Sequence, residues 1–294
     1  MKDYLLSGES VLQCFNSEPR KPLMVLPPGA CDTHVHVVGP RSRFPFVENR
    51  PFTPADASKE ALFELHRVLG FERCVVVQSG IHGFDNSAVE EAIATSDGSW
   101  VGVALVEPTI ADAELARLAG AGFRAVRFTF SSSHAQAQPD EVIDLSHRLA
   151  RYGMHVQIQA DGTLLSELSR VLMQSAVPVV IDHMGRVNAA LGVDQAPMAA
   201  LRSLLQNEKF YVKISGIDRI TIGGNYADGI QIARALAEEF GDRCLWGSDW
   251  PHLGNDHVPD DAELVELLES ISPNESDRSR ILVENPARLF RFEG

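Results

Sequence analysis

Cysteine is scarce in this sequence, and its spacing forms no recognisable motif. The 294 residues include four cysteines, at Cys14, Cys31, Cys74 and Cys244. Three of them lie in apolar segments, where a thiol behaves as a small hydrophobic side chain. Because no two show a paired spacing, a disulfide framework is not indicated. We expect reduced thiols that pack in the core.

Positive charge and long apolar runs are also in short supply. The chain carries 26 Lys and Arg against 40 Asp and Glu, a formal net charge of −14. This balance disfavours binding to nucleic acid or to an anionic membrane surface. No run of 18 uncharged apolar residues occurs, and the N-terminal MKDYLLSGESVLQCF is too polar for a signal peptide. We expect a cytoplasmic protein with neither of these partners, and a local group of arginines wherever an anionic ligand binds.

A dinucleotide-binding fingerprint is missing as well. Short apolar strands alternate with amphipathic helices through most of the chain, which fits an open doubly wound sheet or a closed barrel. An open sheet that binds a dinucleotide should show G-x-G-x-x-G after an early strand, and the sequence has none. Eight such units in about 265 residues match a barrel. We therefore predict an α/β fold, with an N-terminal arm at 1–29 and a single (β/α)₈ TIM barrel at 30–294.

The apolar pattern gives approximate bounds for each element. After a first strand that contains two histidines, strands are predicted at 73–78, 100–106, 125–130, 155–159, 177–181, 210–214 and 244–247. Helices are predicted at 59–69, 86–96, 111–121, 140–152, 164–175, 197–207, 227–240, 260–270 and 274–284. A short helix is predicted at 7–15, ahead of a proline-marked extended segment. The long irregular stretch at 40–57 is typical of a lid or binding loop.

The segment ACDTHVHVVG at 30–39 is the one around which the chain is organised. Its alternation puts Asp32, His34 and His36 on one strand face. Two imidazoles about 6–7 Å apart on a strand can grip a metal ion or a substrate oxygen together. The alternative is two ordinary strand histidines bonded to neighbours. However, His183 and Asp249 also end apolar strands, and a barrel gathers such residues at one mouth.

The polar residues at or just after the predicted strand ends include possible metal ligands, a possible general base and cationic side chains that could bind an anion. They are His34, His36, Ser79, His82, Arg127, Gln157 or Gln159, His183, Arg186, Arg219, Asp249 and His252.

The motifs that carry these residues resemble the amidohydrolase superfamily, and within it the 2-pyrone-4,6-dicarboxylate lactonase group. The resemblance extends from Ala30 to Phe290 and is highly specific for the group but less so for a substrate. Its motifs are DTHVHVVGP (32–40), RPFTPADAS (50–58), VVQSGIHGFDN (76–86), VRFTF (126–130), IDHMGR (181–186), VKISG (212–216), WGSDWPH (246–252) and LVENPARLF (282–290).

The resemblance implies a lactone hydrolase in which His34, His36 and His183 line the site. It implies that Asp249 is the general base that activates water. The chemistry agrees, because a carboxylate among histidines or beside a metal stays ionised at neutral pH. The alternative for Asp249 is a structural cap on the following turn. The imidazoles can polarise a carbonyl directly or through a cation.

Two departures bear on the metal. Superfamily members with two metals use a bridging lysine or glutamate in the fourth strand and a histidine in the fifth. Here Arg127 and the QIQ segment at 157–159 stand in those places. A binuclear centre is therefore not expected. Either no metal or one divalent ion, zinc or manganese, remains, with His34, His36, His183 and Asp249 as the possible ligands.

Arginines are the candidates to hold a substrate carboxylate, because a guanidinium offers a planar fork and keeps its charge. They are Arg127, Arg186 and Arg219, each of which could alternatively brace a loop. We expect Arg127 to be the anchor and Arg186 to be the one of the three that braces a loop. By resemblance, Ser79 and His82 also contact substrate. Relative to the dicarboxylate lactonases, a second arginine is replaced by Ser133 and two tyrosines by Phe52 and Gln159. We therefore predict a lactone with one anionic group in preference to the pyrone dicarboxylate.

Two other functions share these residues. Relatives in the superfamily isomerise sugar-acid lactones or decarboxylate aromatic acids with the same histidines and aspartate. A non-catalytic ligand-binding barrel is the third alternative. Hydrolysis of a neutral ester releases a titratable acid and isomerisation does not, so product analysis separates the two enzymatic alternatives.

Overall fold

Eight strands of the chain run parallel in one sheet, neighbour beside neighbour in sequence order. The computed structural model describes residues 3–6, 9–131, 134–135, 137–222 and 225–292. The strands are β1 (Cys31–Val35), β2 (Arg73–Val77), β3 (Trp100–Leu105), β4 (Phe123–Ser131), β5 (His155–Ala160), β6 (Val179–Ile181), β7 (Phe210–Ile214) and β8 (Cys244–Trp246).

The sheet curls until its first and last strands meet. The Thr33 hydroxyl donates to the Trp246 carbonyl over 2.7 Å, and the backbone amide of Asp249 donates to the His34 carbonyl over 2.9 Å. The Asp32 carboxylate accepts from the amides of both His34 and Ser248. These bonds complete a nearly closed barrel, so the predicted (β/α)₈ architecture is confirmed.

Helices connect the strands and cover the outside of the barrel. They are α1 (Lys59–Leu69), α2 (Ser87–Ala94), α3 (Asp112–Gly120), α4 (Pro139–Leu149), α5 (Gly162–Leu172), α6 (Ala196–Leu205), α7 (Ile217–Ile220), α8 (Ala227–Phe240), α9 (Asp261–Ile271), α10 (Glu275–Ser279) and α11 (Asn285–Phe290). A π-helical turn, Arg280–Glu284, joins the last two. No helix in the described ranges is long and apolar enough to cross a membrane.

The N-terminal segment differs from the sequence prediction. Instead of a helix at 7–15, Asp3–Leu6 and Glu9–Leu12 form an antiparallel pair, and residues 7 and 8 lie outside the described residues. The second strand also pairs in parallel with Thr53–Pro54. The helix prediction is wrong because this pairing satisfies the backbone, and tertiary context overrides weak local propensity. The pairing attaches the N-terminus to the long loop that follows β1.

The core divides between the outside and the inside of the barrel. Alternate strand residues pack outward against the helices, and the other set forms a smaller cluster that includes Val75, Val101 and Leu245 and is closed by Phe290. Polar residues share the inward positions farther along the strands: Lys213 follows Tyr211 by two residues, and Arg127 follows Ala125 in the same way. The apolar inner cluster therefore gives way to a polar one toward the C-terminal ends of the strands.

Candidate active site

Three imidazoles surround one carboxylate oxygen at the C-terminal end of the barrel. Asp249 Oδ1 lies 3.5 Å from His36 Nε2, 3.7 Å from His34 Nε2 and 3.9 Å from His183 Nε2. The His34 ring centroid is 4.5 Å from that of His183 and 5.1 Å from that of His36. All four side chains are buried. The structure thus brings together the four residues that the sequence proposes as the reactive set.

The backbone at these positions adopts conformations that most residues avoid. His183, Met184 and Arg186 have φ between 48° and 53°, and Asp249 has φ 66°. Non-glycine residues occupy this left-handed region at a cost of about 1–3 kcal/mol, and they persist where the surroundings fix them. Tight left-handed turns after β6 and β8 therefore hold His183 and Asp249 in the site.

Asp249 is arranged to stay ionised. Burial would raise its pKa, but the Arg219 guanidinium outweighs burial and holds the pKa well below the usual carboxyl range. Arg219 Nε donates to Oδ2 of the carboxylate. Among the described residues, Oδ1 accepts no hydrogen bond. One oxygen is thus anchored, while the other, facing the histidines, is free to act on a ligand.

The three histidines have defined hydrogen bonds. His36 Nδ1 donates to the Val77 carbonyl over 2.7 Å, which leaves Nε2 facing the site. His183 Nδ1 lies 2.9 Å from the Ser215 hydroxyl. Burial lowers the pKa of His183 to about 3, and burial together with the Lys213 charge holds the pKa of His34 well below its ordinary value.

Behind His34 lies a buried ionic network that the sequence reading missed. Lys213 Nζ lies 2.9 Å from His34 Nδ1 and 3.2 Å from Asp182 Oδ1, and Arg127 Nε donates to Asp182 Oδ2 over 2.7 Å. Burial lowers the pKa of Lys213 to about 8. Burial opposes the ionisation of Asp182, but the charges of Lys213 and Arg127 hold its pKa well below the usual value. The available signal was a single lysine inside a fully buried strand, where charge is rarely found.

Among the described residues, two groups of donor atoms could hold a metal ion. They are His34, His36 and Asp249, and His34, Asp182 and His183, with the ligand atoms of each group within 4.8 Å of one another. His34 Nε2 and Asp249 Oδ1 are buried without a hydrogen-bond partner in the same part of the chain, as open ligand positions would be. The donor set of imidazole and carboxylate can therefore accept a divalent metal ion.

The three candidate arginines have different surroundings. Arg127 is buried, donates to Asp182 and Gln159, and thus joins the network behind the histidines. Arg219 binds Asp249 and the Leu253 carbonyl. The Arg186 side chain is 35% exposed, and its ionic neighbour Asp161 is 3.9 Å away. Of the three, Arg186 is the least committed to protein groups.

A cleft beside this cluster provides room for a small ligand. It has a volume of about 720 Å³, and Arg186 and Arg219 line it together with Tyr226, Asn255 and His257. Because Arg219 also contacts Asp249, the cleft adjoins the candidate base.

The remaining predicted contacts lie on loops around the cluster. The Ser79 hydroxyl accepts from the Ile81 amide over 3.2 Å and so caps the turn after β2. His82 uses both ring nitrogens, since Nε2 accepts from the Gly39 amide and Nδ1 contacts the Pro45 carbonyl at 3.1 Å. The Phe52 ring packs beside Gly254. Ser133 lies outside the described residues.

His252 contacts Asp261 through its side chain and Asp249 through its backbone amide. It is fully buried, and its Nε2 is 3.0 Å from Asp261 Oδ1 at the start of α9. Its backbone amide donates to the Asp249 carbonyl over 2.8 Å. The His252–Asp261 contact therefore connects the loop that carries Asp249 to α9.

Comparison with known proteins places this geometry in a family. A family model described as Amidohydrolase matches residues 31–292. This chain belongs to the amidohydrolase family. The match covers all eight barrel strands, and the resemblance stated from the motifs is confirmed.

Amidohydrolases that are similar to the chain over nearly its whole length include enzymes that act on lactones. A 2-pyrone-4,6-dicarboxylate hydrolase of Comamonas testosteroni is 41% identical, with 93% of this chain and 94% of that protein covered. A 4-sulfomuconolactone hydrolase of Rhizobium radiobacter is 39% identical, covering 90% and 91%. A D-galactarolactone isomerase of Agrobacterium fabrum is 30% identical, covering 92% and 94%.

A solved amidohydrolase structure supports the fold as well. The probable 2-pyrone-4,6-dicarboxylic acid hydrolase of Acinetobacter baumannii, crystallised with citric acid, has a TM-score of 0.82 at 25% identity. The similarity covers 90% of this chain and all of that one.

Proposed function

We propose that the chain is a hydrolase that opens a small anionic lactone with water activated by Asp249. The observation that carries the proposal is the Asp249 carboxylate, which Arg219 anchors through one oxygen while the other faces three imidazoles without a hydrogen-bond partner in the described residues. A base for hydrolysis needs an accessible lone pair close to an electrophile-binding group, and this arrangement supplies both. The lactone hydrolases among its relatives support the same class.

The proposed reaction is addition followed by elimination. The water oxygen attacks the lactone carbonyl carbon while a water proton moves to Asp249, and the product of this step is a tetrahedral oxyanion. Hydrogen-bond donors that face the oxyanion stabilise it. The ring C–O bond then breaks, the leaving oxygen takes up the proton from Asp249, and the product is an open-chain hydroxy acid or its keto tautomer. The carboxylate is regenerated, so one catalytic cycle consumes one water.

A divalent metal, if one is used, would lie among His34, His36, His183 and Asp249. It would act as a Lewis acid on the carbonyl. We propose no more than one per chain, zinc or manganese, because Arg127 and Gln157 occupy the places where further ligands would stand. Elemental analysis of freshly purified protein tests this, and two tightly bound metals per chain would refute it.

We propose that Arg186, rather than Arg127 as expected from the sequence, is the main anchor for the substrate carboxylate, with Arg219 beside it in the cleft. Gln159, which bonds to Arg127, stays a predicted substrate contact. Arg127 and Arg219 already neutralise Asp182 and Asp249, so their charges are largely spent on the protein. With one uncommitted guanidinium, the pocket suits one anionic group. A second buried and unpaired carboxylate would cost several kcal/mol, about two orders of magnitude or more in kcat/KM.

A panel of neutral, monoanionic and dianionic lactones, followed with a pH indicator, tests the function and its charge preference together. We expect acid release to be fastest with a monoanionic lactone, and slower at least about a hundredfold with the pyrone dicarboxylate. Equal kcat/KM for the two would contradict the proposed pocket. Acid release from no member of the panel would contradict hydrolysis itself.

Lactone isomerisation is the second candidate, supported by the similar galactarolactone isomerase. It would use the same base to take a proton from carbon and return it elsewhere, without consuming water. Mass spectrometry of the products separates the two, because only hydrolysis adds the mass of one water to the substrate. The single catalytic domain at 30–294, the arm at 1–29, the cytoplasmic location and the absence of nucleic-acid partners stay predictions from the sequence.

A further inference from the structure

Lys213 is fully buried in β7 and its ammonium group meets three acceptor atoms. Nζ lies 2.7 Å from Gln157 Oε1, 2.9 Å from His34 Nδ1 and 3.2 Å from Asp182 Oδ1. An ammonium has three N–H donors and no acceptor. Hydrogen bonds to Gln157 and His34 use two of these donors, and Asp182 Oδ1 forms an ion pair with the ammonium but no hydrogen bond within the described residues. An atom that faces one of the N–H donors at hydrogen-bond distance must offer a lone pair.

The position of the His34 proton follows from this arrangement. A neutral imidazole has one N–H and one lone pair. A proton on Nδ1 would face the Lys213 donor at 2.9 Å, hydrogen against hydrogen. Asp182 Oδ1 is the competing acceptor for such a proton, but it lies 3.4 Å from Nδ1, beyond good hydrogen-bond length. Nδ1 is therefore the acceptor, and Nε2 carries the hydrogen.

We propose that Lys213 is a positioning residue that, in the enzyme without a metal on His34, holds His34 in the tautomer with its hydrogen on Nε2. His34 then donates to the lactone carbonyl as negative charge develops on it. This role rests on the proposed lactone hydrolysis. It makes His34, in β1, and His36, just after it, complementary: with Nδ1 donating to Val77, the neutral form of His36 offers the site a lone pair, and His34 offers it a hydrogen. Gln157 and Asp182 hold the ammonium in place.

The first test is the tautomer of His34 in the unmodified protein. A long-range ¹H–¹⁵N correlation spectrum near neutral pH distinguishes the two tautomers of each histidine. The His34 signals are assigned by their loss in His34→Gln. We expect Nε2 to carry the proton. A spectrum with the proton on Nδ1 would overturn the proposal, whatever the catalytic activity of the protein.

The second test is the Lys213→Met variant, with Lys209→Met as the control. Lys209 is an exposed lysine just before the same strand. We expect Lys213→Met to shift His34 away from the pure Nε2–H pattern and to lower kcat about 10²- to 10³-fold, the usual loss for one oxyanion donor, with KM changed less than about threefold. Lys209→Met should leave both unchanged. Unaltered kcat in Lys213→Met would overturn the proposal, and if that variant does not fold, the wild-type spectrum decides.

The two tests distinguish failure of the role proposed for Lys213 from failure of lactone hydrolysis as the function. If the wild-type protein opens no lactone, hydrolysis fails while the tautomer measurement still stands. If the wild-type protein is active but His34 carries its proton on Nδ1, hydrolysis stands and the role of Lys213 fails.

Discussion

At the scale of single residues, the site separates groups that react from groups that hold them. Asp249 and the three histidines face one another, whereas Arg127, Asp182 and Lys213 form a layer behind them. A buried charge needs a partner, and in this layer the Asp182 carboxylate is the partner of both Arg127 and Lys213. Removal of a member of the layer should therefore disturb orientation, while removal of Asp249 should remove the reaction.

Arg186→Met should weaken substrate binding more than turnover. Loss of one charge-assisted contact costs about 1.5–3 kcal/mol, which predicts a rise in KM of about 10- to 100-fold with kcat within about threefold. Steady-state kinetics on the best lactone of the panel measures this. Arg170→Met, which removes an exposed arginine from α5, is the matched control. A normal KM in Arg186→Met would assign the anchor to another residue.

Lys213 shows why part of the site could not be predicted from the sequence. The histidines and Asp249 stand at motif positions at the ends of strands, where chemistry is expected. A lysine within FYVKI reads equally well as an outward, solvated residue of an edge strand. Only the closed barrel shows that it points inward, to His34 and Asp182. The partners that define its role are 179 and 31 residues away in sequence.

At the scale of elements, the sequence predicted the helices and strands whose bounds depend on residues close in sequence, such as helix caps and runs of apolar residues. The helix predicted at 59–69 is observed with the same bounds, because Ser58 caps its first turn and Gly70, at φ 95°, ends it. The seven predicted strand ranges differ from the observed ones by no more than two residues at either end. The helix at 7–15 failed because that segment is fixed by pairing with Thr53–Pro54, a contact that no local pattern encodes.

The cap of α1 can be tested directly. The Ser58 hydroxyl accepts from the Ala61 amide over 3.4 Å. Ser58→Ala should lower the free energy of unfolding by about 1 kcal/mol, whereas Ser58→Asp, which keeps an acceptor, should stay near wild type. Urea unfolding followed by circular dichroism measures both. Equal stability of the two variants would show that the cap contributes nothing.

At the scale of the whole molecule, buried neutral histidines make the fold sensitive to acid. Burial lowers the pKa of His155 to about 3, with Lys213 and Arg291 adding to the effect. In the unfolded chain an ordinary histidine titrates near 6.5. Between these two values the unfolded state binds a proton that the folded state does not, so the free energy of unfolding falls as the pH drops through this window.

His155→Gln should therefore reduce the acid sensitivity of the fold. Each such histidine contributes a slope of about 1.4 kcal/mol per pH unit below pH 6, and the variant should lose one such contribution. Urea unfolding at several values between pH 4.5 and pH 7.5 gives the slopes. His147→Gln, at an exposed histidine of α4, should keep the wild-type slope. An unchanged slope in His155→Gln would mean that His155 is protonated in the folded protein.

The catalytic function of the whole barrel depends on Asp249, and turnover by Asp249→Asn tests it most directly. Asparagine keeps the size of the side chain but cannot take a proton from water. We predict that kcat on the best anionic lactone falls at least about a thousandfold, while the dissociation constant measured by calorimetry changes less than about threefold. A variant that binds the lactone and turns it over at a near-normal rate would show that another group activates the water.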